Sequence, residues 1–207
     1  MLMGARPTYG WLSEETQDDA TRLTKDRCFI IDPIDGTRSF MAGEKTWSHS
    51  IAVVENGQVI AGVVYLPATN VMYRAARGAG AFVGDTQMQV QSADHVENAR
   101  ILANRAVMTS GHWVSGLAPD FDRHHRPSLA YRMAAVAEGK FDGMITLRPT
   151  WEWDVAAGVL MVEEAGGVVS DRTGNAVRFN NPTPQSKGLI ATTQKLRDQF
   201  LDKLDRV

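Results

Sequence analysis

Two β-rich runs, Ser48–Val54 and Val59–Tyr65, flank the tetrapeptide Glu55-Asn56-Gly57-Gln58. Asn-Gly readily takes φ > 0 at both central positions of a two-residue turn, so the runs are expected to pair as a hairpin. This turn fixes a register and commits the first half of the chain to a sheet. Cys28–Ile31, Val71–Ala75 and Ala81–Val83 add short runs of the same kind, the last two split by Gly78 and Gly80. The first half therefore reads as an antiparallel meander.

The second half has a different period. Ile101–Ala103, Phe141–Leu147, Val168–Val169 and Leu189–Thr192 read as strands. Ser128–Glu138 places Leu129, Met133, Val136 and Ala137 at helical spacing and stops at Gly139. Val155–Ala165 reads as a helix ended by Gly166-Gly167. Residues 194–207 put Leu196, Phe200, Leu201 and Leu204 on one helical face. Residues 107–126 read mostly as loop or short helix. Strands alternating with helices indicate the α/β class. Two lobes are expected, an antiparallel-sheet lobe over 1–98 and an α/β lobe over 99–207.

Composition narrows the function classes. Twenty-two basic residues against 24 acidic ones give a net charge of −2, which argues against a nucleic acid polymer as partner. The single cysteine, Cys28, allows neither an intramolecular disulfide nor a Cys-based zinc knuckle. No apolar run is long enough to cross a membrane, and Met1–Pro7 lacks a signal pattern, so a cytoplasmic location is expected.

The chemistry concentrates in carboxylates. In Phe29-Ile30-Ile31-Asp32-Pro33-Ile34-Asp35-Gly36-Thr37 an apolar strand delivers Asp32 and Asp35 to one loop. Two carboxylates at short spacing repel unless a cation lies between them, and oxygen-only donors favour Mg²⁺. Gly36 and Thr37 open a short helix whose N–H groups suit a phosphate. An isolated Asx-type turn is the alternative reading. Glu14-Glu15 end the stretch Gly10-Trp11-Leu12-Ser13, where a helix-start capping box would also serve. Asp154 precedes Val155-Ala156-Ala157-Gly158 and reads as an N-cap that is also placed to face a cation. Three such sites together look more like a metal centre than three unrelated caps. His124-His125 reads as a solvated pair, and Arg77-Gly78-Ala79-Gly80 as a hairpin turn.

Trp11-Leu12-Ser13-Glu14-Glu15, Asp32-Pro33-Ile34-Asp35-Gly36-Thr37, Trp153-Asp154-Val155-Ala156-Ala157-Gly158 and Glu164-Ala165-Gly166-Gly167 resemble, in order and spacing, the inositol monophosphatase family. The resemblance implies the layered α/β/α/β/α sandwich shared with fructose-1,6-bisphosphatase, here lacking the N-terminal helical pair. It implies two or three Mg²⁺ ions held by Glu14, Asp32, the Ile34 carbonyl, Asp35 and Asp154. Gly36 and Thr37 would hold phosphate, with Glu14, Asp35 and Asp154 beside the substrate. Thr37, together with Asp35, would activate water for hydrolysis without a phosphoenzyme. A small phosphorylated metabolite and a homodimer are the implied partners.

Pro127-Ser128-Leu129-Ala130-Tyr131-Arg132 resembles the bacterial bisphosphate nucleotidases, which remove the 3′-phosphate of adenosine 3′,5′-bisphosphate. Inositol-specific members carry an acid seven positions before the aspartate that matches Asp154. That position is Leu147, expected to suit a purine or ribose face. Arg132 or Arg148 would meet a second phosphate. Inositol 1-phosphate, histidinol phosphate and fructose 1,6-bisphosphate are alternative esters. A non-catalytic remnant that binds metal, phosphate or a partner is the alternative of another class.

Overall fold

The structure, a computed structural model, describes residues 1–91 and 93–205. A four-residue helix α1 (Leu2–Ala5) precedes a seven-stranded sheet. Its strands are β1 (Gly10–Ser13), β2 (Arg27–Asp35), β3 (Ser48–Glu55), β4 (Gln58–Leu66), β5 (Val71–Ala76), β6 (Gly80–Val83) and β7 (Thr86–Gln87), and they neighbour one another in chain order. The turn between β3 and β4 has φ of 52° at Asn56 and 76° at Gly57, the geometry that pins the hairpin. Every neighbouring pair from β2 to β7 is antiparallel. The meander expected from sequence needs one correction, since β1 runs parallel to β2. Thirteen residues, 14–26, separate these strands, enough for the chain to return to the same end.

Along β3 buried and half-buried residues alternate strictly. Ser48, Ser50, Ala52 and Val54 face the core, as period-two geometry requires. Against this face pack helices α3 (Leu129–Ala137) and α4 (Glu152–Glu164), which also contact each other. Between β2 and β3 the chain forms a five-residue helix, α2 (Thr37–Met41).

The second sheet holds β8 (Arg100–Ala103), β9 (Asp122–His124), β10 (Gly143–Thr146), β12 (Val168–Ser170) and β14 (Leu189–Thr192), in the order β12-β14-β10-β8-β9. A separate ribbon pairs β11 (Thr150–Trp151) with β13 (Gln185–Ser186). Strand β9 lies inside the segment that sequence reads as loop. Its Asp-Arg-His composition carries no apolar alternation, and it is held at the sheet edge by parallel pairing to β8.

Leu102, Met144, Leu189 and Ala191 on one face of the second sheet join α3, α4 and the first sheet in one core. Ile101, Ile145, Leu147 and Ile190 on the other face pack with Leu196, Phe200 and Leu201 of helix α5 (Gln194–Lys203). The layers thus run sheet, α3 with α4, sheet, α5. On the outer face of the first sheet the described helix is α1, whose Leu2 and Ala5 share a shallow apolar cavity with Phe29, Val53 and Ile60. Among the described residues no helix is long and apolar enough to cross a membrane.

Candidate metal centre

Asp32 and Asp35 lie three residues apart, so a regular strand would send them to opposite faces. The pairing of β2 with β3 shifts between them: Asp32 is opposite Ser50 and Asp35 is opposite Ser48. One extra residue on β2 is a β-bulge, and it turns both carboxylates toward the helices. Pro33 fits there because the bulge spares it a ladder hydrogen bond. Asp32 is 1% exposed and Asp35 6% exposed.

Asp154 reaches the same point from α4. The sequence reading makes it the N-cap. In the structure the helix begins three residues earlier, at Glu152, Trp151 is the N-cap, and Asp154 sits within the first turn. Glu152 extends the helix backward because its carboxylate accepts from the backbone N–H groups of Asn180 and Asn181. Buried Arg22 contacts the same pair of asparagines and the carboxylate of Asp18. This network ties the start of α4 to the segment that follows Glu14.

One oxygen from each of Asp32, Asp35 and Asp154 lies within 4.8 Å of the others. At an effective dielectric of about 20, two ionised groups at such a separation repel by roughly 3–4 kcal/mol. Among the described residues no ion pair joins any of the three to a lysine or arginine. The donors are all oxygen, convergent and buried or half-buried, and none is ion-paired to a lysine or arginine, which fits a hard divalent cation.

Protonation is the alternative way to relieve the repulsion. Burial, then the charges of Asp35, Glu14 and Asp154, hold the Asp32 carboxyl far above its ordinary range. Burial, followed by Asp35 and Glu14, pushes Asp154 up to about 8, with Arg148 opposing. Burial raises Asp35 to about 6. Hydrogen bonds from Ser128 Oγ at 2.6 Å and Ala130 N at 2.7 Å restrain it.

These raised values set the sign of a pH effect. In the metal-free folded protein the three groups keep protons that the unfolded chain loses near pH 4. Their stabilisation is complete below that pH and is lost as pH rises through about 6 for Asp35 and about 8 for Asp154. In chelator, the melting temperature is expected to fall from about pH 5 to about pH 9, and saturating Mg²⁺ should restore most of the loss. A chelator profile that rises over this range would contradict the cluster's protonation.

The remaining sequence-predicted residues divide. Glu14 is exposed at the end of β1, where its N–H donates to Ile31 O, and it lines the cavity above the cluster. It lies outside the 4.8 Å triad. No helix follows Glu14-Glu15 directly, so the capping-box reading falls. A 3₁₀ turn capped by Asp19 comes later. The Ile34 carbonyl accepts from Thr37 Oγ at 3.1 Å. Gly36, at φ 93°, is the N-cap of α2, a conformation that favours glycine.

Leu147 is a correction. It is buried in the α5-side core and contributes nothing to the wall of the main cavity, where Arg148 stands. Its expected contact with a purine or ribose is absent because the strand's inward alternation claims it. Sequence reasoning missed Ser128, the partner of Asp35, although its place before an apolar helical run marks it as an N-cap. It also placed His125 in a solvated pair. His124 pairs with Asp122, while His125 lines the cavity.

That cavity has a volume of about 650 Å³ and is floored by Asp35 and Asp154. The sequence profile described as the inositol monophosphatase family matches residues 3–207. The chain belongs to the inositol monophosphatase family. An inositol-1-monophosphatase of Mesorhizobium japonicum is 35% identical over 192 residues, 87% of this chain and 70% of that protein. A fructose-1,6-bisphosphatase/inositol-1-monophosphatase of Thermotoga maritima is 38% identical over 174 residues, 80% of this chain and 65% of that protein. The crystal structure of the extragenic suppressor protein suhB from Bartonella henselae superposes with a TM-score of 0.79 at 32% identity, covering 97% of this chain and 80% of that one. The layered α/β sandwich is thus the inositol monophosphatase fold, and the family is one of metal-dependent phosphoric monoester hydrolases.

Proposed function

We propose that this chain hydrolyses a phosphate monoester of a small metabolite with Mg²⁺ held by Asp32, Asp35 and Asp154 and by Glu14 and the Ile34 carbonyl at its edge. The observation that carries the reading is the convergence of three carboxylates, none ion-paired to a cationic side chain among the described residues, in an open cavity. Divalent cations there would supply charge stabilisation for in-line displacement at phosphorus.

The chain's own groups prepare the rest. Ser128 Oγ and Ala130 N fix one oxygen of Asp35 and leave the other free. Ile34 N fixes Asp32 Oδ1 at 2.8 Å. The Thr37 hydroxyl hydrogen is committed to the Ile34 carbonyl, so its oxygen is left to accept a hydrogen bond from a water in the cavity and orient it. Gly36 and Thr37 present backbone at the cavity wall beside the phosphate position. The homodimer and the cytoplasmic location belong to this reading and rest on the family resemblance alone.

The finer reading is that the ester is the 3′-phosphate of adenosine 3′,5′-bisphosphate. Its support is the similarity of residues 127–132 to bisphosphate nucleotidases. Inositol 1-phosphate is the second reading, favoured by the names of relatives such as the Mesorhizobium protein. Phosphate release with Mg²⁺ is expected to show the higher kcat/KM for the bisphosphate. A tenfold preference for inositol 1-phosphate would reverse the order of the two readings and leave the metal-phosphatase reading standing.

A further inference from the structure

Arg132 lies on α3 and is only 4% exposed. A guanidinium carries five N–H donors and keeps its charge at any physiological pH, so burying one without partners is costly. Here Nε donates to the Arg126 carbonyl. The Nη groups have no hydrogen-bond partner among the described residues, and no carboxylate lies at ion-pair distance. They are not sealed in the core either, for they are absent from the buried unsatisfied atoms, and the side chain lines the cavity of the metal centre.

Arg148 lines the same cavity from the loop after β10. It is exposed, and its side chain makes neither hydrogen bond nor ion pair among the described residues. The two guanidiniums are close enough to repel. Asp35 draws Arg132 and Asp154 draws Arg148, but both acids face the carboxylate cluster. Two cations without partners on one cavity wall make a site whose electrostatic cost a bound anion reverses. Arginine also suits phosphate by geometry, offering parallel N–H donors to two oxygens.

We propose that Arg132 and Arg148 form an anion subsite beside the metal centre that takes a second phosphate of the substrate. Arg132 is the fixed anchor, packed within α3, and Arg148 is the adaptable partner at the rim. The substrate class that follows is a small bisphosphorylated molecule, read by its second phosphate rather than by its ring. The placement of the first phosphate rests on the phosphatase reading above; the anion subsite itself does not.

The test compares kcat/KM for adenosine 3′,5′-bisphosphate and adenosine 3′-monophosphate, with Mg²⁺, in the unaltered protein, Arg148→Gln and Arg132→Lys. The unaltered protein should prefer the bisphosphate at least tenfold. That ratio should fall tenfold or more in each variant, through KM more than kcat. A residue serving only as counter-charge to Asp35 would lower both substrates alike and leave the ratio in place. Equal kcat/KM for the two esters in the unaltered protein, or a ratio unchanged within twofold in Arg148→Gln, overturns the proposal. Arg148 is exposed, so its variant stays informative if Arg132→Lys fails to fold. Should neither ester release phosphate, nor inositol 1-phosphate in the same assay, the phosphatase reading fails. Calorimetry with adenosine 5′-monophosphate, which carries only the second phosphate, then decides the subsite: binding that Arg148→Gln abolishes upholds it, and no binding or unchanged binding overturns it.

Discussion

Asp32→Asn is expected to lower Mg²⁺-dependent phosphate release on the order of a thousandfold, as loss of several kcal/mol of transition-state stabilisation requires, while leaving the metal-free protein at least as stable as before. One cause drives the two outcomes in opposite directions. Asp32 lies against Asp35, Glu14 and Asp154, and it is the most buried of the four. As a ligand its charge is indispensable; without a cation the same charge repels its neighbours and lacks water. An amide of equal size keeps the 2.8 Å acceptor contact to Ile34 N and removes the repulsion. The checks are phosphate release at saturating Mg²⁺ and thermal melts in chelator. Near-normal turnover would remove Asp32 from the metal centre, and a steep loss of metal-free stability would mean that its charge supports the fold.

Gly158→Val is expected to destabilise the fold by about 3 kcal/mol, at the upper end of ordinary overpacking. A Cβ at Gly158 would lie 2.5 Å from Met133 Cβ and 2.9 Å from its Sδ. The first of these atoms is rooted in α3 and cannot swing aside, so α3 and α4 must separate. Helix propensity works the other way, by about 1 kcal/mol for glycine to alanine, and the steric term outweighs it. The opposite side of α4 offers no slack, because β4 approaches at Gly62, where a Cβ would sit 3.0 Å from Ala157 Cα. Separation would also disturb chemistry: α4 carries Asp154, and the start of α3 holds Asp35 through Ser128 and Ala130. Urea denaturation should show a lower midpoint with little change in slope. Adding Met133→Ala should recover part of the loss, since the two residues share one space.

The hairpin at Asn56-Gly57, the helix capped by Ser128 and the α5 face of Leu196, Phe200 and Leu201 were legible because each is set by local chemistry. Parallel pairing of β1 with β2 was not. Nothing within Gly10–Ser13 states a direction, which comes from the path of residues 14–26 and the Arg22 contacts to Asn180 and Asn181, nearly 160 positions away. The carboxylates were legible as residue types near strand ends and helix starts. The bulge that aims Asp32 and Asp35 together was not, since an extra residue leaves no mark in composition. Leu147 shows the same limit from the other side. Counting back from Asp154 identified a position but not the face it takes, and one step along the chain separates a core leucine from a cavity arginine.

At Pro33-Ile34 the number of residues matters more than their kind. Elsewhere in β2 a conservative replacement keeps each side chain on its own face. Here two residues stand opposite one, and laying them out in regular alternation without the register shift would carry Asp35 to the far side of the sheet, with every residue type unchanged. The register shift works as a spacer of fixed count, allowing a strand that is otherwise hydrocarbon on its inner face to bring two charges there within three positions. A homologue with two residues between these aspartates but no register shift would keep both acids and the strand, and would have one carboxylate facing away from the other two.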